Sequence, residues 1–103
     1  MTDANVEYEG SVTIDKTLMD EANITQFEEV HIWNIANGER LVTYAIPGGK
    51  NSGIICINGA AARRIHKGDT VIISAYGVYP ENELGGFKPN IVFVDGQNCI
   101  AKK

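Results

Sequence analysis

The strongest constraint on this 103-residue chain is a pair of β-rich runs hinged on Asn37-Gly38. Glu29-Val30-His31-Ile32-Trp33-Asn34-Ile35 and Arg40-Leu41-Val42-Thr43-Tyr44-Ala45-Ile46 are dense in β-branched and aromatic residues. Asn-Gly between such runs tolerates the positive φ of a tight reversal, so the spacing predicts an antiparallel hairpin. Upstream, Val6, Tyr8, Gly10, Val12 and Ile14 alternate with Glu7, Glu9, Ser11, Thr13 and Asp15 in the period of a half-buried strand. Asp15 then stands as the N-cap of a two-turn helix carrying Leu18, Met19 and Ala22 on one side.

Downstream, Pro47-Gly48-Gly49-Lys50-Asn51-Ser52-Gly53 holds too many turn formers for a strand and is expected to be a mobile surface loop. Ile54-Ile55-Cys56-Ile57 is a continuous apolar run, fit for a strand buried on both faces and ended by Asn58-Gly59. Ala60-Ala61-Ala62-Arg63-Arg64 favours a helical turn, and Lys67-Gly68-Asp69 reverses the chain into a strand over Thr70–Tyr76. After a loop from Pro80 to Pro89, Ile91-Val92-Phe93-Val94 and Asn98-Cys99-Ile100-Ala101 flank Asp95-Gly96-Gln97 as a last hairpin. Short strands at this spacing, with one or two short helices, predict an all-β domain over residues 1–103: a small closed barrel, in which closure removes exposed edges.

Charge and cysteine usage narrow the partners. Nine basic against thirteen acidic side chains give a net charge of -4, which argues against nucleic acid as the target. No apolar run approaches the ~20 residues of a membrane span, and the acidic start Met1-Thr2-Asp3 has no export signal, so a cytoplasmic protein with no membrane partner is expected. Cys56 and Cys99 lie far apart beside apolar residues with no CxxC spacing, and read as buried thiols in a reducing compartment. Asn23-Ile24-Thr25 matches a glycosylation acceptor, which has no chemistry without export.

The common phosphate, dinucleotide, zinc, calcium and serine-hydrolase signatures are absent. His31 and His66 have no ligand partner at metal-site spacing, so no metal is expected. The basic cluster Arg63, Arg64, His66 and Lys67 reads first as a solvated turn and second as an anion site. Arg40, Val42, Tyr44 and Ile46 share one strand face, and a guanidinium with a phenol two steps away suits a small carboxylate. An Arg paired with a structural carboxylate and a packing Tyr would give the same pattern.

Four ordered blocks carry a more specific signal. Tyr8-Glu9-Gly10-Ser11 with Ile14-Asp15, Asn37-Gly38-Glu39-Arg40 with Thr43-Tyr44, Asn58-Gly59-Ala60-Ala61-Ala62, and Gly68-Asp69-Thr70-Val71-Ile72-Ile73 resemble the bacterial aspartate 1-decarboxylase family from Thr2 through Val94. The resemblance implies a six-stranded double-psi β-barrel, a homotetramer, and conversion of L-aspartate to β-alanine for pantothenate and coenzyme A synthesis. It also gives Gly10-Ser11 a meaning, since taken alone the pair is a bulge or bend. In the family, the serine hydroxyl attacks the preceding glycine carbonyl, the ester eliminates, and a pyruvoyl group remains at the new N-terminus. The implied products are residues 1–10, the β chain, and 11–103, the α chain. A strained Gly-Ser turn would suit that step.

By matching motif, the resemblance makes Ser11 the pyruvoyl group that forms a Schiff base with the substrate amine, an electron sink requiring no diffusible cofactor and no metal. It makes Thr43 an aid to self-cleavage and Tyr44 the proton donor, assigns Arg40 to a substrate carboxylate, and sets Asn58, Gly59, Ala60 and Ala61 around the substrate. Arg40 is expected to grip the carboxylate that stays, because holding the departing one would stabilise the ground state more than the transition state. Adjacent Thr43 and Tyr44 should point to opposite faces, so joint service needs a bulge or a site shared between subunits. Family members carry a further strand ahead of the segment matching Thr2-Asp3-Ala4, with a lysine and a histidine toward the site. This chain starts after it, and its first lysine, Lys16, lies beyond the cleavage point. The alternative reading is an uncleaved or truncated barrel acting only as precursor or assembly subunit.

Overall fold

The computed structural model describes residues 3–5 and 10–101, with the side chains at 3–5, 60 and 61 left aside. Tyr8, with Val6, Glu7 and Glu9 of the expected first strand, lies outside the described residues. The strands are β1 (Asp3–Asn5), β2 (Ser11–Asp15), β3 (Glu29–Asn34), β4 (Arg40–Gly48), β5 (Ile55–Asn58), β6 (Val71–Ser74), β7 (Phe93–Val94) and β8 (Ile100–Ala101). One α-helix, α1 (Lys16–Ala22), and two 3₁₀ turns, Gly59–Arg63 and Glu81–Gly86, complete the elements. The domain is mainly β, as the turn spacing predicts.

Six strands form one mixed sheet in the order β1-β5-β2-β4-β3-β6, and β7 with β8 forms a separate ribbon. Among the described residues no ladder joins β6 back to β1. The expected central hairpin is present: β3 and β4 pair antiparallel from Glu29–Tyr44 to Trp33–Arg40, and Gly38 takes the positive φ of the turn at 77°. Val12, Val30, Ile32, Ala45, Ile57 and Ile65 are fully buried at the centre of the core, with Leu18 and Met19 of α1 packed on them. Ile55 and Ile57 face this core while the alternating Cys56 and Asn58 are half-buried, so β5 is not buried evenly on both faces as its apolar run suggests.

The loop expected to start at Pro47 is corrected at its beginning. Pro47 and Gly48 belong to β4, pairing in parallel with Ile14 and Asp15. β3 no longer pairs there, so the missing proline N–H removes no bond on that side. Gly48 is needed for close approach: a Cβ would meet Ile54 Cγ2 at 2.5 Å and Thr13 Cγ2 at 3.0 Å. The segment after it is hydrogen-bonded to Asp15. Asp15 Oδ1 accepts from the backbone N–H of Thr17 at 2.8 Å and of Asn51 at 2.9 Å, and Oδ2 from that of Gly53 at 2.9 Å. The carboxylate thus caps α1, as predicted, and also anchors a loop nearly forty residues away in sequence. Burial works to raise its pKa, but these three N–H groups and the Thr17 hydroxyl outweigh that and hold it below the ordinary carboxylate value.

The cysteine expectation is corrected too. Cys56 is half-buried and Cys99 is exposed. Cys99 sits on the β7–β8 ribbon, whose two-residue strands cover little, and Phe93, Val94 and Ile100 are exposed with it. Arg63, Arg64, His66 and Lys67 are all exposed, with Arg64 Nη1 donating to the Arg40 carbonyl at 3.2 Å. The basic cluster is a solvated turn.

Candidate active site

The antiparallel register of β2 and β5 sets Ser11 opposite Asn58 and Thr13 opposite Cys56, so four polar side chains share one face. Asn58 Nδ2 donates to Ser11 Oγ at 3.0 Å and to Thr13 Oγ1 at 3.2 Å. Cys56 Sγ donates to Asn58 Oδ1 at 3.4 Å, which fixes the other end of the amide. Ser11 is fully buried. Its hydroxyl, immediately after Gly10, is therefore held in a water-poor setting by a directed donor.

β4 flanks β2 on its other side. Its parallel register begins at Val12 with Ala45, and strand periodicity carried one and two steps back directs Ser11 toward Tyr44 and Gly10 toward Thr43. A methyl placed on Gly10 would lie 4.0 Å from Thr43 Oγ1. Strand alternation puts Gly10 and Thr43 on one face and Ser11 and Tyr44 on the other. The peptide bond between residues 10 and 11 straddles both, so by this periodicity Thr43 and Tyr44 each face one side of it without a bulge. Crowding does not explain the glycine at 10, since that contact is an ordinary one.

Arg40 lies elsewhere. It pairs across the hairpin with Trp33, and its guanidinium carbon sits 5.4 Å from the indole centroid. Among the described residues no carboxylate forms an ion pair with it. Along β4 it is ~13 Å from Tyr44. Tyr44 packs edge-on against Phe27 at 6.1 Å, and His31, on the same face, packs edge-on against Tyr76 at 4.9 Å and lies 3.5 Å from Glu29 Oε2. Gly59, buried with φ 78°, turns the chain out of β5, so the backbone of Ala60 and Ala61 begins a 3₁₀ turn next to Asn58.

The structure thus brings together Gly10, Ser11, Thr43, Tyr44 and Asn58, keeps Gly59, Ala60 and Ala61 at the end of β5, and leaves Arg40 at the far end of the hairpin face. Thr13 and Cys56 belong to the cluster and were not singled out by sequence. The signal was there: Ser11-Val12-Thr13 and Cys56-Ile57-Asn58 both alternate polar with apolar, but only the pairing of β2 with β5 joins them. A cavity of about 630 Å³ between α1, β6 and the 92–98 segment holds none of these residues. Among the described residues no group of three or more His, Cys, Asp or Glu could hold a metal ion, and no helix is long and apolar enough to cross a membrane.

Residues 1–101 match the family model described as Aspartate decarboxylase. The chain is 55% identical over 100 residues to the aspartate 1-decarboxylase of Albidiferax ferrireducens, covering 97% of this chain and 74% of that one. It is 52% identical over 102 residues to the aspartate 1-decarboxylase of a Clostridium botulinum strain, covering 99% and 80%. Against the enzyme of that name from Syntrophus aciditrophicus the identity is 50% over 100 residues, covering 97% and 86%.

Proposed function

The chain belongs to the aspartate decarboxylase family, and from that premise we propose that it cuts itself between Gly10 and Ser11 and then converts L-aspartate to β-alanine and carbon dioxide, the step that feeds pantothenate synthesis. The observation that carries the cleavage site is the fully buried Ser11 hydroxyl, held by Asn58 directly after Gly10 and flanked by Thr43. Ser11 Oγ adds to the Gly10 carbonyl carbon, the Gly10–Ser11 C–N bond breaks, and the hydroxyl proton ends on the Ser11 nitrogen, giving an ester. Loss of the Ser11 α-proton expels the Gly10 carboxylate and leaves dehydroalanine, whose imine form takes up water and releases ammonia. The ketone that remains is a pyruvoyl group on residues 11–103, and residues 1–10 are the other product.

The residues present fit that group: the side chain to be converted is shielded from water and faces the Asn58 amide donor. When formed, a pyruvoyl group supplies a ketone that takes up the substrate amine and accepts the electron pair left by departing carbon dioxide. The chain's own residues do the rest. Thr43, beside Gly10, stabilises the oxygen of the attacked carbonyl. Tyr44, on the face of Ser11, returns a proton to the carbon that loses carbon dioxide. Asn58, with the backbone of Gly59, Ala60 and Ala61, walls the substrate. Arg40, permanently charged and unpaired with any carboxylate among the described residues, grips the side-chain carboxylate that stays.

Because Arg40 is ~13 Å along β4 from Tyr44 and its guanidinium turns toward Trp33, we assign it to the site of a neighbouring copy. This fits a homotetramer of cytoplasmic double-psi barrels in which the six-stranded sheet closes. Intact mass spectrometry of the denatured protein tests the whole reading. Two pieces, the larger starting at position 11 with a pyruvoyl group, together with carbon dioxide release from L-aspartate, are the expected result. A single chain that releases none would replace it with an uncleaved barrel serving as precursor or assembly subunit.

A further inference from the structure

The Asn58 amide makes three side-chain contacts at once, and only one of them, to Ser11, belongs to the chemistry proposed above. We propose that Thr13 is a positioning residue for self-cleavage: with the Cys56 thiol it locks the Asn58 amide so that one N–H stays on Ser11 Oγ. This rests on the reading that the chain cuts itself at Gly10–Ser11.

The argument is one of orientation. A side-chain amide presents a donor end and an acceptor end, and rotating it by half a turn exchanges them. With Nδ2 toward Ser11, as found, the serine oxygen accepts a hydrogen bond and its own proton stays available for transfer to the departing nitrogen. With Oδ1 there instead, the hydroxyl would donate its proton into an amide oxygen, which is no base. Two neighbours hold the productive orientation. Thr13 Oγ1, 3.2 Å away, takes the second N–H, so both donors are used. Cys56 Sγ, 3.4 Å from Oδ1, is a far better partner for an oxygen than for an N–H, because sulfur accepts weakly. The antiparallel register supplies both at no cost in loop ordering, since Thr13 and Cys56 are themselves cross-strand partners.

The test follows cleavage of freshly purified precursor over time by intact mass, in the wild type, Thr13→Val, Thr13→Ser and Cys56→Ala. Thr13→Val keeps the branched shape and deletes the acceptor, and should slow appearance of the 11–103 fragment about 3–10-fold at unchanged melting temperature. Thr13→Ser restores the hydroxyl without the γ-methyl and should return the rate to within about twofold of wild type. Cys56→Ala should slow it less than Thr13→Val does. A wild-type rate in Thr13→Val, or equal slowing in Thr13→Val and Thr13→Ser, would overturn the proposal, the second because it marks a packing role. In the uncleaved wild-type precursor, NMR should find the two Asn58 side-chain amide protons distinct and slow to exchange. Rapidly exchanging protons there would overturn the proposal even if Thr13→Val failed to fold. A wild-type chain that never cleaves fails differently, removing the self-cleavage reading and this one with it.

Discussion

The β2–β5 strip and the outward face of the β3–β4 hairpin carry the two halves of the proposed chemistry, and they are built in opposite ways. On the strip, Ser11, Thr13, Cys56 and Asn58 are linked to one another by hydrogen bonds, and Ser11 is sealed from water. On the hairpin face, Arg40 rests on an indole and Tyr44 on a phenyl ring, both partners that a substrate or a second protein surface can displace at little cost. Cleavage needs a fixed nucleophile once, within one chain, and a preorganised network suits it. Substrate capture needs a charged group that can pair anew at each turnover, and an Arg with no carboxylate partner among the described residues suits that.

The sharpest way to break this comparison is to remove each half in turn. Ser11→Ala deletes the nucleophile, and the expected outcome is a single 103-residue chain with no measurable decarboxylation, read by intact mass and carbon dioxide release. Arg40→Ala should leave cleavage intact and raise the KM for L-aspartate about 10–100-fold, the worth of one charge-assisted carboxylate contact. It should also relax rejection of amino acids that lack the side-chain carboxylate. A raised KM with unchanged rejection would show that Arg40 does not hold the carboxylate that stays.

The two halves can then be separated between copies. Co-expressed Ser11→Ala and Arg40→Ala chains, each inactive or crippled alone, should recover part of the wild-type rate if Arg40 serves a neighbour's site. Recovery to no more than the Arg40→Ala value would place both halves in one copy.

Local features were legible in the sequence and distant pairings were not. The Asn37-Gly38 hairpin and the Asp15 cap depend on residues within a few positions of each other, and both stand where turn chemistry puts them. Pro47-Gly48 misleads because its strand character comes from parallel pairing with β2, which composition does not encode. The apolar run at 54–57 hides which of its faces meets the core, and Cys99 looks buried only until its ribbon is seen to leave it exposed. At the site, the four sequence blocks point to Ser11, Thr43, Tyr44 and Asn58, while Thr13 and Cys56 emerge only through register. Tyr8 lies outside the described residues.

The smallest expected effect belongs to the clip at the end of the β2–β5 strip. Asp15 ends β2, the strand that carries Ser11, and its carboxylate holds the start of α1 and the loop leading into β5, the strand that carries Asn58. Its pKa is depressed in the folded chain, so its contribution is fully present above the unfolded value near 3.8 and disappears as pH falls through the folded one. Asp69, held low first by the His66 N–H and then by the Asn34 amide, acts in the same direction. Melting temperature should therefore be flat at neutral pH and fall below about pH 4. Asp15→Ala should cost about 1 kcal/mol or more at neutral pH, from the lost helix cap, and flatten part of the acid slope. Because β2 and β5 then lose a shared anchor, the same variant should slow chain cleavage while leaving the KM for L-aspartate unchanged in whatever protein does mature. If that KM rose instead, the clip would be supporting the hairpin face as well, and the division between the two halves would not hold.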